Sequence, residues 1–211
     1  MATIKQGILG AFSGKVGGVV GSSWKGIAVM KSLPPSVSNP KTAKQVIQRG
    51  KMSAAVAFAK EILPSVIKPL NDRFVSRMSG YNSFIQENIS LFEGGQLMTP
   101  EDLQISPRKN KAQLIDAIGA GPGYTGVKVE FTSDAGTGFA LGSDVAYVVV
   151  ADLAKGLIAG GLASGTRADD QVLLDVPWVD ADYSGILNVW MAFLRDDGTV
   201  PFATAYGSGE I

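Results

Sequence analysis

The residue types most suggestive of chemistry lie near the start of the chain, where Phe12 to Ser32 reads FSGKVGGVVGSSWKGIAVMKS. Glycines and serines are interleaved there with Lys15, Lys25 and Lys31, a composition that can cradle phosphate. A nucleotide-binding P-loop needs four residues between its glycines and then Gly-Lys-Ser or Gly-Lys-Thr, so that backbone N–H groups and the lysine converge on the phosphates. Here three residues separate Gly10 from Gly14, and Val16 follows Lys15. No helix signal comes after. The stretch reads instead as a glycine-permissive hairpin.

A second glycine pattern, Gly121-Pro122-Gly123-Tyr124-Thr125-Gly126, matches G-x-G-x-x-G. A dinucleotide site places that motif after a strand and before a helix, with the pyrophosphate on the helix N-terminus. The residues that follow, Val127-Lys128-Val129-Glu130-Phe131, alternate as a strand does, so this is a loop between strands. Asp169, Asp170, Asp180 and Asp182 offer oxygen ligands to calcium, but not at EF-hand spacing. Asp196-Asp197-Gly198 is turn chemistry. The chain contains neither cysteine nor histidine, which excludes disulfides, Cys/His zinc sites, thiol nucleophiles and Ser-His-Asp triads. A carboxylate-based glycosidase would rest on aspartates alone. We expect no enzyme, no catalytic residue, no cofactor and no metal.

Charge is the stronger signal. Residues 1–98 hold twelve Lys and Arg against four Asp and Glu, a net +8, and residues 99–211 hold seven against fifteen, a net −8. The split points to a basic module, 1–98, and an acidic one, 99–211. Lys41, Lys44, Arg49, Lys51, Arg73 and Arg77 are candidates for a phosphate-binding face, and Lys15, Trp24, Lys25 and Lys31 extend the interaction set. No helix-turn-helix, RNA-binding aromatic signature or zinc motif accompanies them. A solvated or partner-facing surface is the alternative. No secretory signal is expected at the N-terminus, and no apolar run reaches the ~18 residues of a membrane span.

The elements that would position these residues follow from periodicity. Residues 1–33 read as extended, with a turn at Gly21-Ser22. Trp24, Ala28 and Met30 then fall on one face of a strand, and Lys25, Ile27, Val29 and Lys31 on the other. Trp24 is expected to anchor against the helices or a neighbouring copy. Pro34-Pro35 ends the strand. Asn39 and Pro40 signal a helix start, and Ala43, Ile47, Gly50, Ala54, Phe58 and Ile62 form a helical stripe up to a break or kink at Pro64. Val66, Leu70 and Phe74 carry a second helical stretch, and Tyr81 to Ile89 a third after Ser79-Gly80. From about Leu103 the period becomes two. Val145 to Val150, Val172 to Val176, Ile186 to Leu194 and Val200 to Tyr206 read as strands, with Trp178, Trp190 and Tyr206 as core or corner aromatics. The expected class is α+β: a β-hairpin plus helices, then an immunoglobulin-like antiparallel β-sandwich over 99–211 able to fold alone.

The N-terminal residues Lys5-Gln6-Gly7-Ile8-Leu9-Gly10, Phe12-Ser13-Gly14-Lys15-Val16-Gly17, Val20-Gly21, Trp24-Lys25-Gly26 and Lys31-Ser32-Leu33-Pro34 resemble those of an uncharacterised family of short proteins found in Bacteroidota genomes and their phages. Asn39-Pro40-Lys41-Thr42, Gln48-Arg49 and Tyr81-Asn82-Ser83-Phe84 continue the similarity. It covers about 90 residues and weakens beyond them, where only the β-rich character matches. The family has no established activity, so the resemblance implies no catalytic residues. Its phage-associated settings imply a virion or other assembly protein, in the virion or in the cytoplasm during assembly. The expected partners are further copies and other assembly proteins. Nucleic acid bound through residues 1–82 is the alternative.

Overall fold

In a computed structural model the described residues are 3–4, 10–24, 27–36, 38–76, 78–107, 115–119, 126–137, 140–180, 182–199 and 203–211, without the side chains of Ile4 and Trp24. The chain divides into two compact units, Met1–Thr42 and Ala43–Ile211. The class is α+β, as the periodicities indicate.

The first unit is a four-stranded antiparallel sheet in the order β1 (Thr3–Ile4), β2 (Phe12–Val16), β3 (Val19–Trp24) and β4 (Ile27–Ser32). The turn expected at Gly21-Ser22 lies instead at Gly17-Gly18, where Gly17 takes φ 55°, the left-handed conformation that a tight hairpin demands. Gly21 sits inside β3, between Gly14 and Met30. A Cβ there would run into the Phe12 carbonyl oxygen and ring, so its glycine serves close approach rather than a turn.

The second unit begins with α1 (Ala43–Ile62), directly after Thr42 rather than at Asn39-Pro40. Pro64 does not end the helix. It sits in a π-helical turn, Leu63–Ile67, and the helix resumes as α2 (Lys68–Asn71). A wider turn accommodates a residue that lacks an N–H and crowds the preceding carbonyls. The third helix, α3 (Gly80–Asn88), is capped by Ser79, whose Oγ accepts from the Asn82 N–H. The expected stripe is buried only from its second half, at Phe58 and Ile62; Ile47 remains 53% exposed.

A short hairpin, β5 (Phe92–Glu93) and β6 (Gln96–Leu97), precedes β7 (Ala117–Gly119), β8 (Val127–Glu130), β9 (Val145–Asp152), β10 (Leu157–Thr166), β11 (Gln171–Leu174), β12 (Ile186–Leu194) and β13 (Ala205–Glu210). The last strand is described from Ala205, and Val200 to Phe202, its expected start, lie outside the described residues. Strands β7 to β13 form one hydrogen-bonded antiparallel series, β13-β12-β9-β10-β11-β8-β7. β8 returns beside β11, which makes β8 to β11 a Greek key. The two layers expected of an immunoglobulin-like sandwich are therefore joined: β10 pairs with β9 over most of its length, shifts register between Leu162 and Thr166, and pairs with β11 at Ser164.

β9 and β12 are apolar on both faces, which explains their near-continuous apolar runs. Val149, Ala151, Trp190 and Ala192 face the helices, where Phe58, Ile62, Val66, Ile67, Leu70 and Phe84 cover them. Val148, Val150, Val189, Met191 and Phe193 face inward onto Val127, Val129, Val172 and Leu174. The Phe58 ring meets the Trp190 ring edge-on at 5.9 Å. Gly160 gives the helix room: a Cβ there would lie 3.1 Å from both Ile62 and Val66 side-chain carbons.

The boundary expected at residue 98/99 falls inside this unit. The segment after it is tied to both sides. Asn71 Nδ2 donates to the Ile105 carbonyl at 2.9 Å, and Asn88 bonds Gln104 through both its amide nitrogen and oxygen. From the sheet, Trp190 Nε1 donates to the Pro100 carbonyl at 2.7 Å, and Thr204 Oγ1 accepts from the Ile105 and Ser106 N–H groups. Helices and sheet share one core. A fragment 99–211 would leave Trp190 and Val149 bare, so it should fail to melt cooperatively while a fragment 43–211 does. Phe58→Ala in the full chain should cost about 3–5 kcal/mol of stability, the range for emptying a buried aromatic site. Calorimetry and circular dichroism check both. A cooperative melt of 99–211 would restore the boundary at 98/99.

Candidate functional site

The ten residues singled out by charge and aromaticity are divided between the two units. Lys15, Lys31 and Lys41 are exposed in the first unit, while Lys44, Arg49, Lys51 and Arg73 belong to the second. Lys25, Arg77 and the Trp24 side chain lie outside the described residues, as do Gly121 to Thr125 of the second glycine motif. Trp24 pairs in register with Ile27, so it does not share a strand with Ala28 and Met30.

In the first unit, register sorts the side chains. Lys15 pairs with Val20, and Val20 with Lys31, which places the two lysines on one face about 10 Å apart, two interstrand spacings. Gly14, Gly21 and Met30 align on the opposite face, with Val16, Val19, Ser23, Ala28 and Ser32. That second face carries no charge. Met30 is 71% exposed, Val16 55% and Val19 40%, and Gly21 is the one buried residue among the described residues of this unit. All six residues of β4 are exposed.

In the second unit the first turns of α1 are exposed on every side, with Val46 and Ile47 both at 53% beside Lys44 and Arg49. Arg73 is not part of this surface. Its guanidinium lies against Gly198 in the Asp196-Asp197-Gly198 turn. Bonds from the Thr199 hydroxyl and N–H, aided by Arg195 and Arg73, hold the Asp197 carboxyl below its ordinary value. A cation counted toward a phosphate surface is thus engaged by an acidic turn of the same unit.

Two ionic clusters were not visible in the pattern. Arg167 is fully buried: its Nη1 contacts Asp134 at 2.5 Å, its Nε lies 3.3 Å from Asp144, and its guanidinium stacks 3.9 Å from the Phe193 ring centroid. Arg195 reaches the same buried Asp144. In the second, the Tyr183 hydroxyl donates to Asp152, whose other oxygen accepts from the Lys155 N–H. Lys155 Nζ also donates to the Ser184 carbonyl at 2.7 Å and lies over the Tyr183 ring. Burial pushes the Asp152 carboxyl up, but the Tyr183 hydroxyl and the Lys155 amide and ammonium outweigh it and hold the carboxyl below its usual value. Burial, then the adjacent carboxylate, drive the Tyr183 hydroxyl well above that of an ordinary phenol. Asp169 is held low by the Thr166 N–H and hydroxyl in a capping box. Each shifted group is bonded to its own surroundings.

Beside Lys155 runs a groove of about 720 Å³, floored by Phe58, Phe92 and Leu97 and bordered by Glu61, Lys155 and Trp178. Among the described residues no cluster of three or more carboxylates could hold a metal ion. No described helix is long and apolar enough to cross a membrane.

Removing Arg167 would strand Asp144 without its buried partner. Arg167→Met should therefore cost about 3–5 kcal/mol, measured by chemical denaturation; a loss below about 1 kcal/mol would show that Arg195 and water suffice. The Asp152 carboxyl gives an acid limb. Its folded value is depressed, so its stabilisation is present above the ordinary carboxylate range and is lost as pH falls through the folded value. Melting temperature should drop below about pH 4, and Asp152→Asn should flatten that drop.

No curated protein and no solved structure matches the chain. A family model does match, over residues 11–206, which takes in most of both units. The chain belongs to that family, DUF6266, a family of unknown function.

Proposed function

We propose that this protein is a non-enzymatic structural component whose copies assemble with one another or dock into a larger particle, a phage virion being the particle the reading favours. The observation that carries the reading is the first unit. Its four strands expose both faces and bury a single described residue, Gly21. A small sheet without a packed face is marginal in water, so its stability has to come from a surface that covers it.

Charge supplies a complementary surface. Residues 1–42 hold five lysines and no acidic residue, while residues 43–211 hold fourteen Lys and Arg against nineteen Asp and Glu. The +5 unit of one copy attracts the −5 unit of another, and a contact between unlike surfaces propagates until it closes. The phage setting comes from the N-terminal resemblance, and with it a location in the virion, or in the cytoplasm during assembly. Bonding of the shifted groups Asp152, Tyr183, Asp169 and Asp197 within the fold favours a structural over a catalytic role.

One observation favours a second reading. A segment with five lysines and no acid, two of them on one sheet face with Val20 between them, suits a phosphate backbone. Both readings predict weakening by salt and differ in the partner. Nuclease-treated full-length protein should scatter light as an oligomer larger than a dimer, and removal of residues 1–42 should reduce it to monomers. Because buried apolar contact is screened less than exposed charge, the oligomer should persist in part at about 1 M salt. A monomer that binds DNA, with affinity falling log-linearly in salt at about −0.7 to −0.9 per phosphate neutralised, would reverse the order.

A further inference from the structure

We infer that β4 is the seam between copies: Ile27–Ser32 pairs antiparallel with the same strand of a second copy, about a two-fold axis at Met30. The inference rests on the assembly reading above and adds a second contact to it: the seam by itself closes at a dimer, and larger assemblies need the contact between unlike surfaces as well.

β4 ends the strand order β1-β2-β3-β4, so one of its edges has no neighbour among the described residues. Which groups that edge offers follows from one hydrogen bond. The Leu33 N–H donates to the Gly18 carbonyl at 2.7 Å, in the same register that pairs Val19 with Ser32 and Val20 with Lys31. In an antiparallel ladder, hydrogen-bonded and non-hydrogen-bonded pairs alternate. Lys31, Val29 and Ile27 therefore spend their N–H and C=O groups on β3, as Leu33 does. Ala28, Met30 and Ser32 present theirs outward.

That outward set is symmetric. Laying a second β4 antiparallel with Met30 opposite Met30 places Ala28 opposite Ser32 and Ser32 opposite Ala28, so every outward group meets a partner. Shifts in either direction along the strand leave some of them unmatched. The next outward position is Pro34, which has no N–H to leave unpaired, so the seam ends where the sequence ends its donors. Charge obeys the same register. Lys31, the one charge in the strand, falls opposite Val29 of the other copy rather than opposite itself, which avoids the like-charge pair that would oppose self-association. The strand otherwise lacks the features that keep edges apart: no bulge interrupts its pairing with β3, no proline lies within it, and four of its residues are apolar. The uncharged faces of the two sheets become continuous across the seam, and their Met30 side chains meet. In this register a second copy meets β4 with none of the outward groups of Ala28, Met30 and Ser32 unpaired and no like charges directly opposed.

The chain has no cysteine, so a single introduced thiol reports the register. Full-length Met30→Cys and Ser32→Cys proteins are oxidised mildly and run without reductant. Across the axis the two copies of position 30 would be about 5.5 Å apart, within disulfide reach, whereas the two copies of position 32 would be separated by about four strand residues, roughly 13 Å. The expected result is a covalent dimer for Met30→Cys, at least about tenfold above Ser32→Cys. Met30→Pro removes an outward donor and leaves the β3 ladder intact, so it should dissociate the seam while far-ultraviolet circular dichroism is unchanged. Equal cross-linking of both cysteine variants, or none while the wild-type protein still scatters as an oligomer, overturns the seam and leaves the assembly reading standing. A wild-type protein that is monomeric overturns both. Protection of β4 amides from exchange only on addition of another protein would assign the edge to that partner and overturn pairing between copies.

Discussion

The fold depends on β9 and β12 being apolar on both faces. A strand of that kind is stable only with a layer on each side, and the chain supplies one layer from its helices and the other from strands that bracket β9 in sequence. The helices, which come early, provide one through Phe58, Ile62 and Val66. The flanking strands β8 and β11 provide the other. The edge contact between Phe58 and Trp190 marks where the first layer seats. Other features of the second unit serve this demand: Gly160 lets α1 approach, Thr204 and Trp190 pin the connecting segment, and the wide turn at Pro64 carries the buried Val66 and Ile67.

The first unit obeys the opposite economy. It makes its hydrogen bonds within four strands, only Gly21 is buried among its described residues, and its charges are all of one sign. On the assembly reading proposed above, a segment built this way is a connector whose stability is deferred to contact, while the second unit is the well-packed body.

Much of the body was legible because burial imposes period. Phe58 and Ile62, the runs 145–150 and 186–194, and the Trp190 core position follow from helical and strand spacing. The module boundary did not, because period shows that a face is buried and not by what. The helical stripe does not reveal that Trp190 packs against Phe58 or that Thr204 holds the segment after the helices. In the hairpin, several glycines compete as turn sites, and choosing Gly21 over Gly17 reverses which side chains share a face. The pairing of Lys15 with Lys31 across Val20 was invisible for that reason. Arg167 was missed because an arginine beside Asp169 and Asp170 looks like any charged turn; only the three-dimensional return of Asp134 and Asp144 makes it a core residue.

The ties that hold residues 100–106 have a kinetic side. Ile105 and Thr204 are 99 residues apart in sequence, and the Trp190 bond to Pro100 spans 90. Contacts of that separation close late, after the entropy of a loop longer than half the unit has been overcome. During synthesis the hairpin and the helices emerge well before the strands that cover α1, so Phe58, Ile62 and Val66 wait uncovered on the nascent chain. The edge strand β4 is available over the same interval. Timing therefore sets a hazard: two neighbouring nascent chains can meet through their early segments before either body has closed.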